Sequence, residues 1–224
     1  MERNLALDNL RGIAFLLMVF QHIFYFYDVS TNYTTNYANI DIVDASGTIS
    51  RNLFILLAGY SVYMMYKKDI NKPDKFIEKR ATRSLQISEH ALLITIVTYL
   101  LYPEKFIQFG ILHFLAVGTF LASFVAYDQQ LALLALAVSM GITYPVTGTY
   151  ADVITGSSAT SMMMDWFPLN KWLPVLLSGV VIGQNIDLKI PVLEFDNVIT
   201  LIGKNSLNLY TLHLVALLVI YKFV

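Results

Sequence analysis

The sequence predicts an all-α protein, a polytopic transmembrane helix bundle of about seven spans with a cytosolic amino terminus. Of its 224 residues, 56% are hydrophobic and only 14% are charged, whereas a soluble domain carries about 25% charged residues. The mean hydropathy is +0.58, and the apolar runs recur along the whole chain. One globular core cannot bury so much apolar surface, so we expect a single membrane domain over residues 1–224.

The apolar runs define the expected spans in order. The first is long enough to cross a bilayer as a helix at ~1.5 Å per residue. The second and sixth have short uncharged centres, which flanking Lys and Arg side chains complete by reaching the interface. The third contains Glu89 and His90. The expected spans cover residues 9–27, 50–66, 84–102, 106–127, 130–148, 171–186 and 198–221.

The loops between these spans differ sharply in charge. Residues 66–83 contain seven Lys and Arg residues, whereas the 28–49 and 149–170 loops contain none. With the amino terminus in the cytosol, eleven of the fifteen basic residues lie inside, as the positive-inside rule requires. The four exceptions are Arg51, Lys105, Lys171 and Lys222. Seven spans then place the carboxyl terminus outside.

The composition also excludes several classes of function. The net charge of −1 argues against a general nucleic-acid partner. The chain contains no cysteine, so disulfides, thiolate nucleophiles and cysteine-bound metals are excluded. The first apolar run is too long for a signal peptide, and we expect it to be a permanent span.

Two ionisable residues, Arg11 and His22, lie inside that first span. Eleven residues make roughly three helical turns, so both side chains lie on one helix face, ~16 Å apart along the axis, with Asp8 near the same face. An ionisable group in a membrane helix costs ~2.5–3.5 kcal/mol on insertion scales. Such groups therefore indicate function, and His22 is the first candidate catalytic residue.

Three histidines are expected at similar depth in the outer half of the bundle. They are His22, His113 and His213, whereas His90 lies nearer the cytosol. Three histidines can bind zinc, but no carboxylate shares their depth and none of the pairs has local ligand spacing, so we expect no metal. The alternative is one catalytic histidine that takes a proton from an attacking hydroxyl or amine, with the others hydrogen bonded in the bundle.

Basic residues on the cytosolic side are candidate ligands for an anion. Arg11 can pair with Asp8 or bind phosphates. Arg80 and Arg83 lie in a basic loop that the positive-inside effect also explains. Near the start of the last span a helix amino terminus favours an anion, although the same residues can form a helix cap. These residues are Lys204, Asn205 and Ser206.

Read together, five blocks resemble a known family. LDNLRGIAFLLMVFQH resembles the first span of the type-3 membrane acyltransferases, in which an Arg, ten residues and a His recur. The other blocks are similar to the heparan-alpha-glucosaminide N-acetyltransferase-like family and its small prokaryotic members, and they follow the family order. They are LFILLAGYSVYM (53–64), TIVTYLLYPEKFIQFGILHFLAVG (95–118), DWFPLNKWLPVLLSGVVIGQ (165–184) and LIGKNSLNLYTLHLV (201–215).

The resemblance implies a multi-pass enzyme that takes an acetyl group from cytosolic acetyl-CoA, its co-substrate, and passes it to a sugar amine or hydroxyl across the membrane. The lysosomal members place their catalytic histidine in the first luminal loop, but the 28–49 loop contains none. The catalytic role therefore carries over to His22 through the type-3 pattern, and less directly to His113 and His213. Whether acetyl passes through an acyl-histidine or directly between substrates stays open.

The same resemblance suggests where the substrates bind. The CoA phosphates are expected near Arg11 and the basic loop, and the thioester near His22. The acceptor is expected at the outer loops, where aromatic and acidic residues are typical of sugar sites; the candidates are Asp44, Asp165 and Trp166, although Trp166 can also anchor the helix at the interface. In a prokaryote the protein is expected in the plasma membrane.

One alternative function stays open at this stage. A small transporter or scaffold could retain the same fold without catalysis, and a transporter should show broken spans and paired charges near the midplane. Gly110, Gly118 and Gly141 interrupt spans, yet no charged pair lies at mid-depth. The exposed faces of so small a bundle could also form a homo-oligomer, although no interface motif stands out.

Overall fold

The computed structural model describes residues 4–32, 34–141, 164–188, 190, 193 and 196–223. Within these residues the protein is all-α, as predicted, and contains eight α-helices and one short 3-10 helix. The chain forms two compact units, Met1–Phe54 with Leu188–Val224, and Ile55–Asp187. The boundary falls inside the second helix.

The first unit contains α1 (Leu5–Ser30), a 3-10 turn (Tyr37–Asn39) and the start of α2 (Asp41–Lys68), followed by α7 (Val198–Lys204) and α8 (Ser206–Lys222). The side chain of Asn4 caps α1 by accepting the Leu7 amide proton at 3.0 Å. Asn197 caps α7 in the same way through the Thr200 amide, at 2.8 Å. Both caps satisfy amides that a helix start leaves without a partner.

Helix α1 packs against α7 and α8, and glycines make the closest part of this contact. A Cβ at Gly12 would overlap the carbonyl of Ile199, and one at Gly203 would overlap the carbonyl of Asp8. Only glycine allows two backbones to approach so closely. Thr200 joins the helices further by donating to Asn9 Oδ1 at 3.0 Å.

The second unit contains the rest of α2, α3 (Pro73–Leu101), α4 (Ile111–Ser123), α5 (Gln129–Gly141) and α6 (Leu169–Asn185). Proline at the start of α3 favours a helix amino terminus. Helix α4 packs against α3 and α6, and α5 packs against α6. Gly59 of α2 and Gly179 of α6 lie at a second close crossing, because a Cβ on either would overlap the carbonyl of the facing helix.

Several helices differ in length from the expected spans. Helices α2 and α3 extend into loops predicted to be irregular, because acidic residues in their first turns favour helix formation there. Helix α4 begins only at Ile111, since residues 102–110 form an irregular segment. The expected last span, 198–221, is interrupted at Asn205. Part of the fifth expected span, 142–148, lies outside the described residues.

Two described helices, α1 and α3, are long and apolar enough to cross a membrane by length and composition. Helices α4, α5 and α8 are apolar but shorter, at 13, 13 and 17 residues. A complete crossing takes about 20 residues. The seven spans and the cytosolic amino terminus therefore stay predictions.

Candidate functional site

The clearest candidate site is a pair of histidines in the first unit. His22 of α1 and His213 of α8 are 191 residues apart in the chain, and Nδ1 of His22 lies 3.0 Å from Nε2 of His213. Their rings are nearly parallel, at 10°. The structure thus brings together two of the three histidines predicted to be catalytic.

The hydrogen bonds of His213 define which nitrogen of each ring carries the proton. Nδ1 of His213 lies 3.1 Å from the carbonyl oxygen of Leu209, and a carbonyl can only accept, so this nitrogen is the donor. Nε2 of neutral His213 is then an acceptor, and Nδ1 of His22 donates to it. In neutral His22, Nε2 keeps its lone pair, and it has no hydrogen-bond partner among the described residues.

Aromatic rings enclose this pair. Phe15 and Tyr210 meet His213 edge-on, with ring centroids 5.2 and 5.4 Å away, and Phe26 meets His22 at 5.9 Å. Packed rings hold both imidazoles in one orientation and keep the local dielectric constant low, which strengthens hydrogen bonds between them. Both histidines remain partly accessible, so a ligand can reach them.

Arg51 of α2 also acts on this site, whereas from the sequence it was predicted only to be one of four external cations. Its positive charge acts electrostatically on His22. Its Nη2 donates to Thr48 Oγ1 at 2.8 Å, whereas its Nε is buried without a partner. The neighbouring Ser50 ties α2 to α1 by donating to the carbonyl of Ala14 at 2.8 Å. The position of Arg51 depends on this packing, so no sequence signal could have identified it.

His113 belongs to the second unit and is fully hydrogen bonded. The amide of Gly110 donates to its Nδ1 at 3.2 Å, so Nε2 carries the proton and donates to Thr95 Oγ1 at 3.1 Å. Thr95 in turn donates to the carbonyl of Ile107 at 2.8 Å. This arrangement joins α3 to the start of α4 and leaves neither ring nitrogen of His113 free to act as a base.

The predicted cofactor-binding residues of the first unit have partners within the fold. Arg11 lies 2.8 Å from Asp8, which is the local ion pair the sequence allowed. Lys204 lies 3.0 Å from Asp196. The Asn205 amide donates to the carbonyl of Leu201 at 2.9 Å, which satisfies the end of α7. Ser206 begins α8 beside it.

The predicted cofactor-binding residues of the second unit differ from one another. Arg80 is buried in α3, and its Nε has no partner. Arg83 is exposed and donates to Gln86 Oε1 at 3.2 Å. Nearby, Lys79 Nζ lies 2.5 Å from Asp69 Oδ2, and this hydrogen bond lowers the pKa of Asp69 below its usual value.

The predicted acceptor-binding residues fall in different places. Asp165 accepts the amide proton of Ile111 at 3.0 Å and so caps α4. Trp166 pairs with Phe109 in an isolated β-bridge beside that cap. Asp44 lies exposed in the first turn of α2, in the first unit. Asp165 and Trp166 therefore make contacts within the fold, and binding of an acceptor by any of the three residues stays a prediction.

Asp28, near the end of α1, is a buried carboxylate for which no role was predicted from the sequence. It accepts from Thr35 Oγ1 at 2.6 Å and from the amides of Tyr37 and Ala38 at 3.1 and 2.8 Å. It thereby organises the loop that follows α1. The signal was present in the sequence as an aspartate at the end of an apolar helix, followed by a polar loop.

The described residues contain no group of three or more potential metal ligands. Among known proteins, the family model described as "Heparan-alpha-glucosaminide N-acetyltransferase, catalytic" matches residues 3–215. No curated protein and no solved structure matches the chain. All five blocks lie inside the matched range, so the resemblance to the heparan-alpha-glucosaminide N-acetyltransferase-like family is confirmed.

Proposed function

Because the chain belongs to the heparan-alpha-glucosaminide N-acetyltransferase catalytic family, we propose that it is a membrane-embedded acyltransferase. It takes an acetyl group from cytosolic acyl-CoA and transfers it to an amine or hydroxyl of a sugar-type acceptor on the outer side. The observation that carries this proposal is the His22–His213 pair, in which Nε2 of His22 is left available as a base.

The chemistry follows from the protonation states of the pair. The acceptor nucleophile attacks the thioester carbon while Nε2 of His22 takes its proton. The C–S bond then breaks, and the departing CoA thiolate takes that proton from His22. His213 is a positioning residue, because it holds the His22 ring through Nδ1 and accepts no proton itself. If His22 instead carries the acetyl group transiently, the Nε2 lone pair attacks the thioester carbon and the CoA thiolate leaves. The acceptor then attacks the acetyl carbon, the bond to Nε2 breaks, and Nε2 takes the acceptor's proton and passes it to the thiolate.

Arg51 supplies what the sequence could not identify, a group to stabilise negative charge on the thioester oxygen. Its positive charge acts on His22, and its Nε is a buried hydrogen-bond donor without a partner. A fixed donor aimed at developing charge is usually worth 10²–10³ in rate. Arg11 and Lys204, which are 24% and 25% exposed, are proposed to contact the donor on the cytosolic side, with Asn205 and Ser206.

The proposed topology has seven spans, with the amino terminus in the cytosol. Large apolar side chains cover the exposed surface of α3, including Leu85, Leu92 and Leu100, which is typical of a lipid-facing helix. The chain has no cysteine, so single cysteines can be introduced and labelled. We expect Lys72→Cys to react only from the cytosol and Asp44→Cys only from outside. Labelling of both from one side would contradict the topology.

The deciding experiment is acetyl transfer by purified protein in liposomes, with radiolabelled acetyl-CoA and a glucosamine-type acceptor. His22→Gln should lower the rate by about 10²–10⁴, the range that general acid–base catalysis supplies. His113→Gln is the matched control, because that histidine is engaged only in the fold, and its activity per folded molecule should stay near wild type. Wild-type rates in His22→Gln would refute the proposed mechanism.

A second set of variants tests the positioning role of His213. Glutamine can donate to the Leu209 carbonyl and accept from His22, so His213→Gln should retain more activity than His213→Ala. The acid limb of the pH–rate profile should also shift in His213→Ala, which loss of packing alone would not produce. If transfer never depends on acetyl-CoA, and a solute instead crosses the membrane, the transporter alternative replaces the enzyme.

A further inference from the structure

Arg80 is a buried cation for which the described residues provide no counter-ion. Its side chain lies on the packed face of α3, and the residue is only 4% exposed. The Nε atom is buried with no hydrogen-bond partner, and no described residue forms an ion pair with the guanidinium. A buried charge costs several kcal/mol unless it is paired, so this arrangement calls for an anion.

Three other cations of the described residues have a carboxylate partner in the fold, unlike Arg80. Arg11 pairs with Asp8, Lys79 with Asp69 and Lys204 with Asp196. The nearest charge along the helix destabilises the positive charge of Arg80 further, because it is also positive. Arg83 lies three residues later on the same helix, and its positive charge acts on Arg80. Like charges at this spacing destabilise a helix. One anion bound between Arg80 and Arg83 would reduce this repulsion and would also neutralise the buried charge of Arg80.

The fold holds Arg80 in place, so it cannot simply move into solvent. One turn earlier, Phe76 is buried against Tyr66, with ring centroids 5.5 Å apart. One turn later, Ser84 donates to the carbonyl of Ala116 in α4 at 2.6 Å. The segment before Arg80 also contains Lys67, Lys68 and Lys72, whose positive charges attract an anion from a distance.

We propose that Arg80 is the centre of a phosphate-binding site on α3, with Arg83 as its second cation. A guanidinium binds phosphate oxygens through two parallel N–H donors, and two adjacent guanidinium groups match the double charge of a phosphate monoester. The phosphate can belong to the CoA of the acyl donor, in which case the site rests on the proposed function, or to a phospholipid headgroup. In both cases guanidinium N–H groups bind phosphate oxygens, although the CoA 3′-phosphate is a doubly charged monoester and the phosphate of phosphatidylglycerol is a singly charged diester.

The first experiment uses two soluble probes that differ in one phosphate. Acetyl-CoA and acetyl-dephospho-CoA, which lacks the 3′-phosphate, are titrated into purified wild-type protein and into Arg80→Gln. If the donor supplies the phosphate, Arg80→Gln should weaken acetyl-CoA binding at least tenfold and should remove the difference between the two probes. Lys75→Gln is the matched control, because it removes an exposed charge from the same helix, and its affinity should change less than twofold.

The second experiment tests the lipid source. The Tm of the wild type and of the same variants is measured in nanodiscs of phosphatidylglycerol and in nanodiscs of phosphatidylcholine. The buffer contains no inorganic phosphate. If a lipid headgroup occupies the site, phosphatidylglycerol should raise the Tm of the wild type and of Lys75→Gln, but not that of Arg80→Gln. A response to lipid without any binding of acetyl-CoA would support the phosphate site while refuting the proposed acyl donor.

Arg80→Met distinguishes a binding site from an unsatisfied charge. Removing a buried unpaired cation should raise the Tm of the ligand-free protein, while the stabilisation by the phosphate-bearing probe should disappear. If Arg80→Met does not fold, Arg80→Lys replaces it and should bind more weakly than wild type. The proposal is overturned if Arg80→Gln retains wild-type responses both to the 3′-phosphate and to phosphatidylglycerol.

Discussion

Replacing Gly203 by alanine tests the packing that brings the two site histidines together. The new Cβ would overlap the carbonyl of Asp8 and would lie 3.0 Å from the amide nitrogen of Gly12. These are backbone atoms of α1, so no side-chain rotation can relieve the overlap. Helix α7 must therefore move away from α1.

The size of the effect follows from three contributions. Overpacking costs about 1–3 kcal/mol, and this overlap with backbone belongs at the upper end. Loss of the Thr200–Asn9 hydrogen bond, 3.0 Å long in the wild type, adds about 1 kcal/mol. Alanine recovers about 1 kcal/mol through its higher helix propensity. The net loss is about 3 kcal/mol, which for a chain of this size lowers the Tm by about 6–12 °C.

The assay is thermal unfolding of the purified protein followed by tryptophan fluorescence. Gly141→Ala is the matched control, because a Cβ there meets no atom within 4 Å, and its Tm should not fall. Only Asn205 separates α7 from α8, so the displacement should also disturb His213 and lower acetyl transfer. A Tm for Gly203→Ala at or above that of the wild type would refute the packing argument.

Three further substitutions test the surrounding structure. His113→Ala should cost about 2 kcal/mol through two lost ring hydrogen bonds, with near wild-type activity per folded molecule; lost activity at unchanged stability would contradict this. Asp28→Ala should speed proteolysis of the following loop, relative to the exposed control Asp44→Ala; equal cleavage would contradict it. Asp69→Asn should lower the Tm at pH 7, and the difference from the wild type should shrink as the pH falls below about 3.9. Because Lys79 lowers the pKa of Asp69, the stabilisation is present above about pH 3.9 and is lost as the pH falls further; a constant difference would contradict this.

The fold class could be predicted because composition and apolar periodicity are properties of the chain itself. The residues at which the helices begin and end were harder to predict from the sequence. Helix α2 begins at Asp41, in a loop predicted from its polarity, and α4 begins only at Ile111, where Asp165 caps it from 54 residues away. Hydropathy describes where a segment is apolar, whereas a helix ends where its backbone groups find other partners.

The spacing of Arg11 and His22 on one helix face, the family and the importance of His22 all follow from residues that are near one another in the chain. Helix geometry relates such residues without reference to the rest of the fold. The partner of His22 is different. The packing of α1, α2 and α8 brings His213 and Arg51 to this site, and the Leu209 carbonyl then determines which tautomer His213 adopts. Among the described residues Arg80 has no carboxylate partner, because the carboxylates that pair with cations lie next to other basic residues. The chain contains many residues of each type, and tertiary packing determines which of them come into contact. No local sequence pattern specifies these long-range contacts.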